Sequence, residues 1–344
     1  TSSEAALAMK DCSISLDELL DVWKTPLANV FPERSAQRPV FSDTPEFDNP
    51  AEVTSLHRPL DPMMANPPFV RNPEKAKPLV IIPVFPGTSC EYDVERSFLR
   101  AGANVQQVLF CNLDQKQIRE SVSRLADALR RAQILALPGG FSSEDELGGS
   151  VEFITSVFRN SDIADATMNL LTERDGLILG IGNGFQCLVK LGLLPYGEIC
   201  ERDADDLTLT FNTIGRYVSS YVCTRVQTTR SPWLRAETKG SLHRIPVSHG
   251  QGRFIASCDV LRELQEKDQI AFQYVNLKGQ TTLDEPWNPS GSFLAVEGLI
   301  SPDGHVLGKM GHSERAALHV ARNIPGEKQQ TIFASGVSWF SDLS

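Results

Sequence analysis

Three things are scarce in this 344-residue chain: paired cysteines, an excess of basic residues and long apolar runs. The seven cysteines (Cys12, Cys90, Cys111, Cys187, Cys200, Cys223, Cys258) are odd in number and widely scattered. No CxxC or CxxH spacing offers a zinc site, so reduced thiols in a cytoplasmic protein are expected, with no metal centre. Lysine and arginine number 33 against 43 aspartates and glutamates, a formal charge of −10. That balance argues against a surface that wraps nucleic acid or adheres to an anionic membrane. No apolar run approaches the roughly 18 residues of a membrane span, and the first residues, TSSEAALAMKDCS, lack a signal-peptide pattern. No internal repeat is visible. What remains is ordinary globular material, 41% hydrophobic and 22% charged, enough for a sizeable core in one or two domains.

Three regions follow one another, with boundaries expected at 1–31, 32–77 and 78–344. In the first, Ser15 and Glu18 form an S-x-x-E capping box ahead of Leu16, Leu19, Leu20, Trp23 and Leu27 at helical spacing. So short an amphipathic helix needs another surface to rest on. Ten of the 21 prolines lie from Pro32 to Pro78, so the second region reads as an extended connector. Its apolar residues (Val40, Phe41, Phe47, Met63, Met64, Phe69, Val70) imply a partner surface.

The third region carries the fold. Apolar strands are expected at 79–85, 105–110, 134–137 and 176–181, alternating with helices at 89–101, 118–131 and 185–191. Strands apolar on both faces and separated by helices predict an α/β fold with a mostly parallel sheet covered on both sides. Beyond Leu207 the pattern turns β-rich (207–211, 216–226, 272–275, 293–300), which predicts an antiparallel extension.

Ligands of parallel α/β sheets sit at the carboxyl ends of strands. One such end is Leu137-Pro-Gly-Gly-Phe141, whose glycines let backbone N–H groups face an anion or a carbonyl oxygen. Another is Leu179-Gly-Ile-Gly182-Asn-Gly-Phe-Gln186, a sharp strand-to-helix turn with the mechanics of a nucleophile elbow. Its apex, Gly182, has no side chain to attack with. Farther on, His312 and Glu314 open an expected helix as a base with an orienting carboxylate. His249 lies in the Gly-rich turn His249-Gly-Gln-Gly-Arg-Phe254, where Arg253 could pair with an acidic partner or a substrate carboxylate.

Taken in order, Pro86-Gly-Thr-Ser-Cys-Glu-Tyr-Asp93, Leu137-Pro-Gly-Gly-Phe-Ser142, Leu179-Gly-Ile-Gly-Asn-Gly-Phe-Gln186, Leu191-Gly-Leu-Leu-Pro195, His249-Gly-Gln-Gly-Arg-Phe254, Asn288-Pro-Ser-Gly-Ser292 and Gly308-Lys-Met-Gly-His-Ser-Glu-Arg315 resemble one family. It is the glutaminase domain of phosphoribosylformylglycinamidine synthases, among the triad (class I) glutamine amidotransferases, with a flavodoxin-like sheet. The resemblance spans roughly 77–338 and is similar to the long single-chain bacterial form. On that resemblance, 1–31 is the tail of a synthetase region and the proline-rich stretch its connector.

The resemblance implies glutamine hydrolysis by a Cys-His-Glu triad, with ammonia passed on in purine biosynthesis. His312 would activate the thiol and Glu314 orient it. Gly140 and Asn183 N–H groups would hold the oxyanion, and Gln186 would help hold L-glutamine. ATP and Mg²⁺ would act in the synthetase portion, the expected partner, because no phosphate loop or acidic Mg²⁺ cluster stands out here. The family's nucleophilic Cys falls on Gly182. Cys187 reads as a small buried hydrophobe, and Cys90 as a recurring loop cysteine rather than the nucleophile. The chain is therefore expected not to hydrolyse glutamine. Either an otherwise complete site has exchanged one residue, or the domain is a structural module. A different hydrolase using Cys90 or Cys187 would instead require a low-pKa thiol in an exposed pocket.

Overall fold

The structure, a computed structural model, describes residues 6–9, 12–16, 18–19, 22, 77–141, 151–201, 207–316 and 320–342. They divide into two units, Thr1–Thr44 and Pro45–Ser344. In the first, β1 (Ala6–Met9) pairs antiparallel with β2 (Cys12–Ser15). Residues 16, 18, 19 and 22 are helical. The Glu18 N–H donates to Ser15 Oγ at 3.1 Å, one half of the expected capping box. The rest of that helix, and the connector up to residue 76, lie outside the described residues.

In the second unit the strands are β3 (Leu79–Val84), β4 (Asn104–Leu109), β5 (Ile134–Leu137), β6 (Leu177–Ile181), β7 (Thr208–Thr210), β8 (Val218–Val226), β9 (Leu242–His249), β10 (Arg253–Ile255), β11 (Ile270–Val275), β12 (Val296–Ile300) and β13 (Val306–Lys309). The helices are α1 (Glu91–Ala101), α2 (Gln115–Leu129), α3 (Glu152–Phe158), α4 (Ser161–Thr172), α5 (Asn183–Leu191), α6 (Cys258–Glu266) and α7 (Ile332–Asp342), besides a short turn at Leu193–Tyr196. Nine strands form one mixed sheet in the order β4-β3-β5-β6-β13-β12-β11-β8-β9. Pairing is parallel from β4 to β13 and antiparallel from β13 to β9. The expected α/β class and its antiparallel extension are both present.

Period-two alternation explains the two covered faces. On β3, Ile81 packs into one apolar cluster with Leu125, Leu129 and Phe158, while its neighbours Val80 and Ile82 pack into another with Phe98, Trp233 and Phe333. Helix starts follow local chemistry. Asp114 caps α2 by accepting from the Gln117 N–H at 2.8 Å, and Asn160 and Ser257 cap α4 and α6 in the same way.

Two expectations need correction. The 293–300 segment is not one strand, because Leu294 and Ala295 have φ of 50° and 53° in a 3₁₀ turn before β12 begins. His312 and Glu314 do not open an α-helix. Ser313–Arg315 is a single 3₁₀ turn, which brings the Glu314 carboxylate back to His312. Among the described residues no helix is long and apolar enough to cross a membrane.

Candidate active site

Three adjacent parallel strands, β5, β6 and β13, deliver their carboxyl ends to one edge of the sheet. β5 runs into Gly139-Gly140. The Ser89 and Cys90 N–H groups both donate to Gly139 O at 3.2 Å, and the Phe141 N–H donates to Gly87 O at 2.8 Å, strapping the glycines to the first loop. β6 runs into Gly182, which caps α5 with φ 56° and ψ −113°. Its N–H donates to Lys309 O at 2.9 Å, tying the elbow to β13. Three residues past that strand stands His312, whose own N–H donates to Pro246 O of β9 at 2.8 Å.

At the elbow, the direction a Cβ would take from Gly182 ends 3.4 Å from His312 Cε1 and 3.6 Å from Nε2, ordinary contact distances. On the far side of the ring, His312 Nδ1 meets Glu314 Oε1 at 2.7 Å, and both residues are buried. Burial opposes charge on the imidazole, but the Glu314 carboxylate and the hydrogen bonds from Cys90 and Glu314 prevail and raise its pKa to about 9. The imidazole is thus held cationic at neutral pH, with Nε2 turned to the side where the elbow lies.

A pocket opens over this edge, lined among others by Gly140, Gly182, Asn183, Gln186, His249 and His312. Asn183 is the first residue of α5, where N–H groups have no partner within the helix and suit a developing oxyanion. Gln186 is engaged at both ends: Nε2 donates to Gln251 O at 2.5 Å and Oε1 accepts from Asn183 Nδ2 at 2.8 Å. It builds the wall of the pocket. His249 closes another side, its Nδ1 3.0 Å from Asn212 Oδ1. Burial and the nearby His312 charge lower its pKa to about 4.

The thiols separate clearly. Cys187 is fully buried in α5, and burial pushes its pKa up to about 12, as befits an inert core residue. Burial would also raise the Cys90 pKa, yet the hydrogen bond and charge of His312, with Arg315, bring it below its ordinary value. Cys90 Sγ lies 4.0 Å from His312 Nδ1 and accepts from Arg315 Nη2 at 3.0 Å. This thiol is 1% exposed and stands on the Nδ1 side of the ring, while its neighbour Ser89 lines the pocket. Cys90, His312 and Glu314 place their ligating atoms within 4.8 Å of one another. The Arg315 guanidinium on the thiol makes a further cation there unfavourable.

A family model described as CobB/CobQ-like glutamine amidotransferase domain matches residues 77–340. The chain belongs to this family. It is 32% identical over 236 residues to the phosphoribosylformylglycinamidine synthase subunit PurQ of Synechocystis sp., covering 68% of this chain and 90% of the relative. The subunit of the same name from Gloeobacter violaceus is 34% identical over 234 residues, with 68% and 87% covered. The solved structure of PurLQS from Thermotoga maritima superimposes with a TM-score of 0.55 at 26% identity, over 77% of this chain and 99% of that one.

Several features of this amidotransferase site were not read from its sequence. Arg315, the last residue of the Gly308–Arg315 motif, bridges Cys90 and Ser248 Oγ (3.2 Å). Phe141 and Tyr217 stack at the pocket mouth, their ring centroids 5.7 Å apart. Lys309, fully buried, donates to Ser313 Oγ at 2.8 Å, Gln330 Oε1 at 3.0 Å and Gly311 O at 3.3 Å. It also pairs with Glu297 Oε1 at 3.3 Å, which itself accepts the Gly311 N–H at 2.6 Å. The residues on both sides of His312 are thereby clamped. Arg253 donates to Gly291 O at 3.2 Å and lies over the Phe293 ring.

Proposed function

We propose that this chain is the glutamine amidotransferase region of a phosphoribosylformylglycinamidine synthase, and that it binds L-glutamine without hydrolysing it. One observation carries the reading: the side-chain direction at Gly182 points to His312, whose other nitrogen is held by Glu314. A thiol at that apex would ionise beside the His312 imidazolium, and the thiolate would attack the substrate carboxamide carbon, with the imidazolium Nε2–H left to protonate the departing nitrogen. The oxyanion would face the Gly140 and Asn183 N–H groups, ammonia would leave, and water would then release glutamate. An imidazole with a pKa of about 9 favours the thiolate of such a pair. Glycine offers only hydrogen at this point, so the first bond has nothing to form from.

The pocket's donors and acceptors, with cationic His312 and Arg315 and neutral His249, suit a small zwitterionic amide rather than a magnesium nucleotide. ATP and Mg²⁺ accordingly belong to the synthetase portion, the partner that takes up ammonia and activates the amide oxygen of formylglycinamide ribonucleotide in the cytoplasm. Neither nucleic acid nor a membrane takes part.

The test compares glutamate release by the unaltered chain and by Gly182→Cys, each with the synthetase portion, ATP and formylglycinamide ribonucleotide. Release by the Cys form alone is expected. Release by neither would make the domain a structural module. Activity of the unaltered chain would move the nucleophile to Cys90, the thiol whose pKa is lowered.

A further inference from the structure

His249 is buried, lines the pocket, and has one ring nitrogen without a hydrogen-bond partner among the described residues. Its surroundings settle which nitrogen carries the proton. Asn212 Nδ2 donates to the carbonyl oxygens of Arg216 (3.1 Å) and His249 (2.8 Å), which fixes the orientation of that amide. Asn212 Oδ1 is therefore an acceptor, and it takes both the Gly252 N–H at 3.1 Å and His249 Nδ1 at 3.0 Å. The neutral imidazole then holds its hydrogen on Nδ1 and presents a lone pair at Nε2. A buried acceptor left unmatched is costly, and such groups are retained where a ligand supplies the missing donor.

The rest of the pocket sharpens what that donor is. The His312 imidazolium and the Arg315 guanidinium line the pocket as donors, beside Gly140 and Asn183, so the pocket is rich in donors. Asn183 Oδ1 is a second buried acceptor without a partner among the described residues, and it follows the elbow directly. A cationic ligand group would be repelled by His312, whose charge already acts on His249. A neutral NH₂ would not.

We infer that His249 Nε2, with Asn183 Oδ1 beside the elbow, accepts hydrogen bonds from the NH₂ of a primary carboxamide, and so selects an amide over the matching carboxylate or ester. The inference rests on the reading of the pocket as a glutamine site and adds the group that tells glutamine from glutamate. A carboxylate would set oxygen lone pairs against the Nε2 lone pair, and an ester would leave Nε2 unmatched. Sites built to meet an N–H discriminate strongly against analogues that lack it.

The 344-residue chain does not need to turn over for the test. Isothermal titration at neutral pH with L-glutamine, L-glutamate and the γ-methyl ester of L-glutamate measures the selection directly. Glutamate and the ester should each bind at least about tenfold more weakly than glutamine. His249→Leu should reduce that preference about tenfold, and His249→Gln, which keeps an oxygen near the Nε2 position, should retain most of it. If glutamine binds but the ester binds equally well, or if His249→Leu keeps the full preference, the inference is wrong and the glutamine reading stands. If the unaltered chain binds none of the three, the reading falls and the inference with it. The ester comparison uses the unaltered chain, so it decides the matter even where His249→Leu does not fold.

Discussion

Gly182 has the one backbone conformation in the site that a side chain resists. At φ 56° and ψ −113° an L-residue is strained, although the space is open and the nearest atom to an added Cβ would be 3.4 Å away. Gly182→Cys should therefore lower stability by about 1–3 kcal/mol while placing a thiol against His312. Urea denaturation of the two forms measures this, and a more stable Cys form would mean that the elbow is unstrained. Gly184, the second residue of α5, is a different case. A Cβ there would come within 2.0 Å of Leu137 O, so α5 sits against β5 only because the residue is glycine. The importance of both glycines was legible in Leu179–Gln186. The company of Cys90 was not, since 222 residues separate it from His312.

Elements place these residues, and β13 does most to set His312. The strand ends at Lys309, whose buried ammonium and the Glu297 carboxylate grip Gly311 and Ser313 on either side of His312. Removing one member of a buried pair strands the other, so Lys309→Met should destabilise the fold by about 3–5 kcal/mol. Combining it with Glu297→Leu should recover much of that loss, because two well-packed apolar residues carry no unpaired charge. Thermal denaturation of the single and double variants tests the clamp; a double variant as unstable as the single would refute it. Sequence periodicity found β3, β5 and β6 because both their faces are covered and their residues are apolar. It overlooked β9, whose Pro246 and terminal His249 look like a turn, and it misjudged 293–300, where positive φ at Leu294 and Ala295 is set by packing.

At the scale of the whole molecule, two histidines oppose each other in their effect on stability with pH. His312 has a folded pKa of about 9 against 6.5 unfolded, so its contribution is complete below pH 6.5 and is lost as pH rises through 9. His249 has a folded pKa of about 4, so the unfolded chain takes up its proton first and stability falls as pH drops from 6.5 toward 4. Together they predict greatest stability near pH 6.5, each limb on the order of 3 kcal/mol. His312→Gln should flatten the alkaline limb and His249→Gln part of the acid limb, both read from urea midpoints across pH. Unchanged limbs in both variants would remove these residues as the source.

The amino-acid sequence by itself determined the α/β class, the alternation of strands and helices, and the sharp strand-to-helix turn with glycine at position 182. These follow from local apolar runs, turn residues and motif order, which need no distant contact. Only the tertiary structure decided that Arg315 shares Cys90 with His312, that buried Lys309 bonds to the residues on both sides of His312, and that His249, in the pocket lining, keeps one buried ring nitrogen unmatched among the described residues. Those depend on which strand ends meet at the sheet edge and on which polar groups are left dry there. Burial and pairing of that kind arise from packing between segments far apart in the chain, and no window of sequence contains them.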